Sequence, residues 1–537
     1  MSAAGINHVE GLVHAAFTSD GPYDTMPRLM TSQDKDAFIK SLDVTDQFGQ
    51  AQTARLWEER LLPKYPISPF FWIRVGDVRR QFGSSMMALE AYEKAQQIAE
   101  PGADPVYDLS LTAFRKLCEQ AEEDAMYNWA DANFAYDWIP MQQIEFPTCP
   151  EPCQSESLKS RWRAIQSDAT DGNGVELYFR AVCVETNVIE NIFQVSRNGT
   201  TEMVKKSLNP TFSRGTANSI SLSSGSPIWT GLVFEPENSR AFLDTADIRC
   251  ILQNARAALD DIFKMSKVTT PWTVPGLCKL HEKCMEASKF RTSFSRLPNG
   301  SLVNVKTKYL PTGRTRGFIR TNVTLNSYHG AIGLCPFQEV DEEFTRFVEM
   351  SHNYLSTYGD RPFALAAWLH FAFVTLHPFQ DGNGRMCRLL ASLPLIRAGL
   401  PPLCIPTSLK GKYIAALDHL RTTPSKPEFE PADFEPLMQV FAEGMTNTIS
   451  WVERRPSPSS TPSSDTMTYN SLTPLIPTNG TRKPIVMVEK GVLSQSLSPA
   501  PLLGEAVTGA SEGKIDEPTK ALEDAFRKVT LDGVVKT

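Results

Sequence analysis

The sequence predicts a mainly α fold with one small β-hairpin, and three observations carry that prediction. Pro362 to Leu376 is apolar nearly all round and contains no glycine, the pattern of a buried helix. Residues 36–130 show helical spacing with an internal repeat. Between Leu302 and Leu325 the period changes: LVNVKTKYL and GFIRTNVTL are strand-like, and Pro311-Thr312-Gly313-Arg314 between them is a turn signal. At 537 residues and 41% hydrophobic, the chain has material for about three domains with real cores.

Taken in order, residues 1–35 are polar, broken by Gly-Pro and Met-Pro, and read as a flexible N-terminus. Within 36–135, Trp72, Gly76, Phe82-Gly83, Ala88, Tyr92 and Ala95 fall at a spacing that resembles a tetratricopeptide (TPR) repeat, with Pro101 near the end. Shifting back one repeat gives Phe38, Leu42, Phe48-Gly49, Ala54 and Pro66, and a fainter third copy would occupy 106–135. Such arrays bind other proteins along a groove. Residues 136–175, rich in Pro, Cys and Ser, read as a linker. Helical patterning resumes at Glu176, passes a Ser/Asn/Thr/Gly-rich insertion at 194–238, and continues at about 244–266, 273–289 and 408–451. The last of these carries Tyr413 and Phe441 on apolar faces. Residues 453–537 turn to Pro, Ser and Thr and read as a disordered tail, with a short amphipathic piece at 515–530 suited to folding on a partner.

The chemistry gathers in residues 362–400, read as helix, tight polar loop, helix. Pro362 suits a first helical position, with Asp360 upstream as its cap. The loop is His377-Pro378-Phe379-Gln380-Asp381-Gly382-Asn383-Gly384-Arg385-Met386-Cys387-Arg388. Gly382 and Gly384 let the backbone turn sharply and approach a ligand, and Asn383 tolerates unusual backbone angles. The unpaired amides opening the second helix make an anion site. Arg385 and Arg388, three apart, project to one side of its first turn as a polyphosphate clamp. Asp381 is the carboxylate placed to hold Mg²⁺ between phosphate oxygens, and His377 at the loop entrance can take a proton from a hydroxyl. The set predicts phosphoryl or nucleotidyl transfer. Pro394, beyond the loop, is expected to kink the second helix.

HPFQDGNGRMCR resembles the signature HxFx(D/E)GNGRxxR of Fic-domain proteins with every fixed position filled, and the flanks ALAAWLHFAFVTL and RLLASLPLIRAGLPP agree. The resemblance implies a helical Fic fold over 176–452. It also implies a protein adenylyltransferase moving AMP from Mg-ATP to a Ser, Thr or Tyr hydroxyl of a protein. By position His377 becomes the base, Asp381 the Mg²⁺ ligand, Gly382, Asn383 and Gly384 the anion hole, and Arg385 and Arg388 the ATP phosphate binders. Thr186-Asn187-Val188-Ile189-Glu190-Asn191 resembles the family's autoinhibitory motif (S/T)xxxE(G/N), carried in one class on a helix before the core. Glu190 would then pair with Arg388 and block the ATP γ-phosphate. Glu185, with Ala181 four residues earlier, competes for that role; Glu190 leads because Thr186 and Asn191 match. Fic proteins also carry a β-hairpin flap that clamps the target by strand addition, and 302–325 matches it in place and character. CPFQEVDEEFTRFVEMSHNYL resembles the helix that precedes the motif helix. A homodimer is compatible with all of this.

A net charge of -7 argues against a nucleic-acid partner. No segment reads as a signal peptide or membrane span, and ten scattered cysteines suit reduced thiols, so an intracellular protein, cytoplasmic or nuclear, is expected. Cys149 with Cys153, and Cys278, His281 and Cys284, are of zinc-ligand type, but their spacings are not CxxC, and buried thiols and a loop explain them better. Two rival functions stand beside transfer: a Fic enzyme that removes AMP, with the glutamate aligning water, and a TPR-type binding scaffold with a vestigial nucleotide site. The loop reads phosphate, not base.

Overall fold

The helix Pro362–Leu376 lies at the centre, with all fifteen residues buried. The computed structural model describes residue 23 and residues 26–454, except for 45–46, 100–101, 103, 169–172, 194–244, 269–271, 297–301, 328–329 and 423–430. The insertion at 194–238, the tail at 455–537 and most of the N-terminal stretch therefore lie outside the described residues.

The N-terminal helices are α1 (Ser32–Leu42), α2 (Gln47–Arg55, running on through a π-helical turn Leu56–Leu61), α3 (Pro69–Gln81), α4 (Ser85–Ala99) and α5 (Pro105–Ala130). Thr31 caps α1, its hydroxyl accepting from the Asp34 amide at 3.1 Å. α3 and α4 pack against each other as a pair. Gly76 sits where they cross, and a Cβ there would meet the Tyr92 ring at 2.5 Å, so only glycine lets the helices come this close. The neighbouring copies differ: the third folds as one 26-residue helix rather than a pair, because 106–130 contains no Gly or Pro to turn the chain. The expectation of flexibility over 1–35 does not hold at its described end. Tyr23 is buried and stacks on Tyr107 at 3.9 Å, and α1 starts at Ser32.

The segment 136–175 is not a linker. Met141, Ile144, Phe146, Leu158 and Trp162 are buried in the same core as the central helix, and α6 (Ser155–Ser167) packs there. It also supplies the cap that Asp360 was expected to give. The Glu151 carboxylate accepts from the amides of Phe363 and Ala364 at 3.0 and 2.9 Å, satisfying two orphan donors from far away in sequence.

The rest runs α7 (Asn173–Val188), α8 (Thr245–Lys267), α9 (Val274–Met285), β1 (Phe290–Arg296), β2 (Leu302–Tyr309), a one-turn α10 (Arg316–Ile319), β3 (Thr324–Ser327), β4 (Gly330–Gly333), α11 (Val340–Thr357), α12 (Pro362–Leu376), α13 (Asn383–Arg397), α14 (Lys410–Thr422) and α15 (Glu435–Glu453). α13 runs on past Pro394 to Arg397.

The strand pairing corrects the predicted hairpin. The two strand-like runs of 302–325 do not pair with each other. β2 pairs antiparallel with β1, Phe290 opposite Tyr309, and β3 pairs with β4, Leu325 opposite Ile332. The turn at 311–314 leads into α10 instead. Val323, Leu325, Ile332 and Leu334 bury one face of the second hairpin with Tyr136 against them. The β4 edge is taken: Ala135 N–H donates to Ala331 C=O at 2.8 Å, and Gly333 N–H to Tyr136 C=O at 2.9 Å. Among the described residues no helix is long and apolar enough to cross a membrane.

Candidate active site

α12 ends at His377, whose backbone is left-handed (φ 53°) and whose N–H bonds Phe373 C=O at 2.9 Å, closing the last turn. The imidazole is buried. Its Nδ1 lies 3.2 Å from Val374 C=O, and since a carbonyl only accepts, Nδ1 carries the hydrogen and Nε2 the lone pair. Burial, then the charge of Arg316, lowers its pKa from 6.5 to about 3, so the ring stays neutral.

Arg316 holds this corner together. It is fully buried and donates to His377 C=O (2.6 Å), Leu376 C=O (3.1 Å), Cys335 C=O (2.6 Å) and Thr321 C=O (3.3 Å). A cation on the orphan carbonyls of a helix C-terminus is favourable in charge and satisfies acceptors that α12 cannot. Burial lowers its pKa to about 10.

The loop keeps its shape by a side-chain clamp. Asn383 accepts from Phe379 N–H at 3.0 Å and donates to Phe379 C=O at 2.7 Å. Its side chain is thus committed to the turn. Gly382 precedes α13 with φ 82°, which favours glycine. The amides of Asn383, Gly384 and Arg385 that follow have no intrahelical acceptor, as at any helix start. Asp381 takes Gly382 N–H on Oδ1 at 2.6 Å and Arg291 Nη1 on Oδ2 at 2.7 Å. Burial opposes its charge, but Arg291 and Arg385 outweigh it and hold the pKa below the usual carboxylate value. His281 braces the loop from below. Gly313 N–H donates to its Nδ1 at 2.9 Å, which makes Nε2 the donor to Asp381 C=O at 2.9 Å, and the ring stacks on Phe379 at 3.7 Å. Both its nitrogens are used, and among the described residues no three His, Cys, Asp or Glu side chains converge as a metal cluster.

The two loop arginines, read from their spacing as sharing one side of the first turn, both meet the end of α7. Arg385 and Arg388 are 1% and 3% exposed, because the end of α7 covers them. Arg388 donates to Thr186 Oγ1 (2.9 Å), Thr186 C=O (2.9 Å) and Glu190 Oε1 (2.7 Å). Arg385 Nη1 makes long contacts, 3.4 Å each, to Asn187 Oδ1 and Ser288 Oγ, while its Nε and Nη2 have no hydrogen-bond partner. A small, mostly apolar cavity lies between α7, α8, α9 and α13, with Thr186, Arg385 and Arg388 among its lining residues. Glu190 reaches over the α13 N-terminus: a Cβ on Gly384 would lie 2.1 Å from Glu190 Oε1. The carboxylate thus lies where the helix dipole and a guanidinium both attract an anion.

Glu190 stands just beyond α7, followed by Asn191 in a left-handed turn (φ 53°). Lys410 clamps that turn, donating to Ile189 C=O (2.6 Å) and Asn191 Oδ1 (3.1 Å). Glu185 points elsewhere, accepting from Thr407 N–H and Oγ1 at 2.7 Å each. The geometry thus separates the two rivals: Glu190 contacts the loop, and Glu185 pins α7 to the segment before α14. Sequence reasoning missed Arg291, Arg316 and Lys410. Arg316 lies between the turn 311–314 and the strand-like run 317–325, with Arg314 and Arg320 close by, and nothing local singles it out; Arg291 and Lys410 gave no signal either.

Residues 271–395 match the family model described as the Fic/DOC family, so the chain carries a Fic domain over that span. It is 45% identical over 79 residues to a Fido domain-containing protein of Dictyostelium discoideum, covering 14% of this chain and 54% of that one. It is 44% identical over 62 residues to the protein adenylyltransferase fic-1 of Caenorhabditis briggsae, covering 12% of each. The chain thus spans about half or less of the length of these relatives. Among solved structures, Fic-1 of C. elegans aligns over 80% of this chain and 99% of its own, at 15% identity and a TM-score of 0.34.

Proposed function

We propose that this chain, which carries a Fic domain, transfers AMP from Mg-ATP to a Ser, Thr or Tyr hydroxyl of a protein and is restrained by its own Glu190. One observation carries the reading: an internal carboxylate sits on the α13 N-terminus and on Arg388, 2.7 Å away, where a nucleotide phosphate would bind. A fold that fills its own anion site with a carboxylate has an anion site to fill.

In the proposed reaction His377 Nε2 takes the proton of the target hydroxyl as its oxygen attacks the α-phosphorus. The bond to the bridging oxygen breaks, and pyrophosphate leaves. The amides of Asn383, Gly384 and Arg385 face the phosphates, and the two unpartnered nitrogens of Arg385 are the donors available to them. Asp381, ionised and beside this nest, suits Mg²⁺, which prefers one or two carboxylates and completes its shell with phosphate oxygens and water. When bound, the ion would neutralise phosphate charge. Arg388 orients the distal end of the triphosphate once Glu190 has left it. An extended target segment would add to the β3 edge, since Ala135 and Tyr136 occupy that of β4. The N-terminal helices are a docking surface for such partners.

Incubating the purified chain and a Glu190→Gly variant with each nucleoside triphosphate and Mg²⁺, then weighing the products by mass spectrometry, tests the reading. An AMP adduct that grows in the variant supports it; no nucleotide adduct in either sinks it. A second reading, removal of AMP from a modified protein, draws on the same carboxylate: the Glu190 side chain is 27% exposed, enough to align a water. Loss of AMP from a modified target, abolished by Glu190→Gly, would favour removal.

A further inference from the structure

We propose that Arg291 is a built-in counter-cation that competes with the divalent ion for Asp381, so that the seating of the β1–β2 hairpin on the N-terminal helices sets the metal affinity of the site. This rests on the reading of Asp381 as metal ligand. Arg291 Nη1 lies 2.7 Å from Asp381 Oδ2, while Oδ1 already accepts from Gly382 N–H. Both carboxylate oxygens are therefore engaged. A divalent ion on Oδ2 would stand against the guanidinium with like charge, in a corner where the side chains are 24% and 12% exposed and screening is weak. The like charges make the two cations compete for that oxygen.

Arg291 is not on a freely swinging arm. Phe290, its neighbour, is 4% exposed and packs against Phe82 at 6.1 Å and Tyr309 at 5.4 Å. Tyr309 N–H donates to Phe82 C=O at 3.1 Å, and its hydroxyl donates to Glu58 at 2.9 Å, which Arg79 holds at 3.0 Å. The base of the hairpin thus belongs to the core made with α2 and α3. An event on those helices that shifts the strand would withdraw the guanidinium and free the metal ligand. The Arg291–Asp381 ion pair thus links the hairpin that is seated on the repeat-like helices to the transfer site.

The test titrates Mn²⁺ into the full chain with saturating ADP and reads free ion by electron paramagnetic resonance, a measurement independent of turnover. Arg291→Gln should tighten Mn²⁺ binding by about three- to tenfold, the scale of a partly buried ion pair. Arg291→Lys, which keeps the charge, should stay closer to the parent. Tyr309→Phe, which removes the tie to Glu58, should move affinity in the same direction by a smaller factor. Unchanged or weaker Mn²⁺ binding in Arg291→Gln overturns the competition, and no shift in Tyr309→Phe overturns the coupling to the helices. Asp381→Asn separates the two levels. If it loses the ion while Arg291→Gln shows no gain, only this proposal fails; if it binds Mn²⁺ like the parent, Asp381 is not the ligand and the underlying reading fails with it.

Discussion

The two ends of the loop between α12 and α13 are closed in opposite senses. At the Arg388 end a carboxylate, Glu190, covers a cation; at the Asp381 end a cation, Arg291, covers a carboxylate. Glu190 arrives on a turn clamped by Lys410, directly after a helix that Glu185 pins to Thr407. Arg291 arrives on a strand whose base belongs to the N-terminal core. Two of the charges that the loop would offer to a nucleotide, Asp381 and Arg388, are thus already answered by a residue outside it, while Arg385 keeps two unpartnered nitrogens. The loop supplies the chemistry, and distant elements decide whether it is open.

The largest expected effect strikes the corner where α12 gives way to the loop. Arg316→Leu strips four carbonyls of their donor and should cost about 3 kcal/mol in denaturant unfolding, since buried acceptors are left unpaired. Acid should do the same more gently. His377 and His281 are held neutral in the fold, with pKa values lowered to about 3 and about 4, against 6.5 for the unfolded chain. Between those values the unfolded chain binds more protons. Stability is therefore full above pH 6.5 and falls as pH drops, by up to about 2 kcal/mol per histidine by about pH 5. Unfolding midpoints at the two pH values check the slope; stability rising on acidification would contradict it.

Opening one end alone sharpens the comparison. Glu190→Gly should raise auto-modification with labelled ATP by about tenfold or more, by freeing a charge-assisted contact on Arg388. Unchanged labelling would remove Glu190 from the account. Lys410→Met leaves Glu190 in place but loosens its turn, and should raise labelling by only about threefold. An effect as large as that of Glu190→Gly would mean that the turn, not the carboxylate, is the restraint.

Much of the site was readable in the sequence because it is local. The apolar run Pro362–Leu376 dictates burial, and the loop that follows dictates a turn and an anion nest. The Glu190–Arg388 contact crosses 198 positions but was legible through Thr186 and Asn191, each of which has a use: Thr186 holds Arg388, and Asn191 turns the chain. What failed was pairing chosen by tertiary context. A strand-like run does not name its partner, so Leu302–Tyr309 was joined to the wrong neighbour. Residues 136–175 looked like a linker because their Pro and Ser hide a sparse set of apolar anchors, and nothing local says that Glu151 caps α12. Arg291 and Lys410 each have another cation two residues away, Lys289 and Lys412, and nothing local says which one makes the contact.

The most direct test compares Glu190→Gly with Glu190→Gly/His377→Ala, each incubated with Mg-ATP and weighed intact. An AMP adduct is expected on the single variant and its loss, by a factor of about a thousand in rate, on the double. An adduct that survives the loss of the imidazole would contradict it.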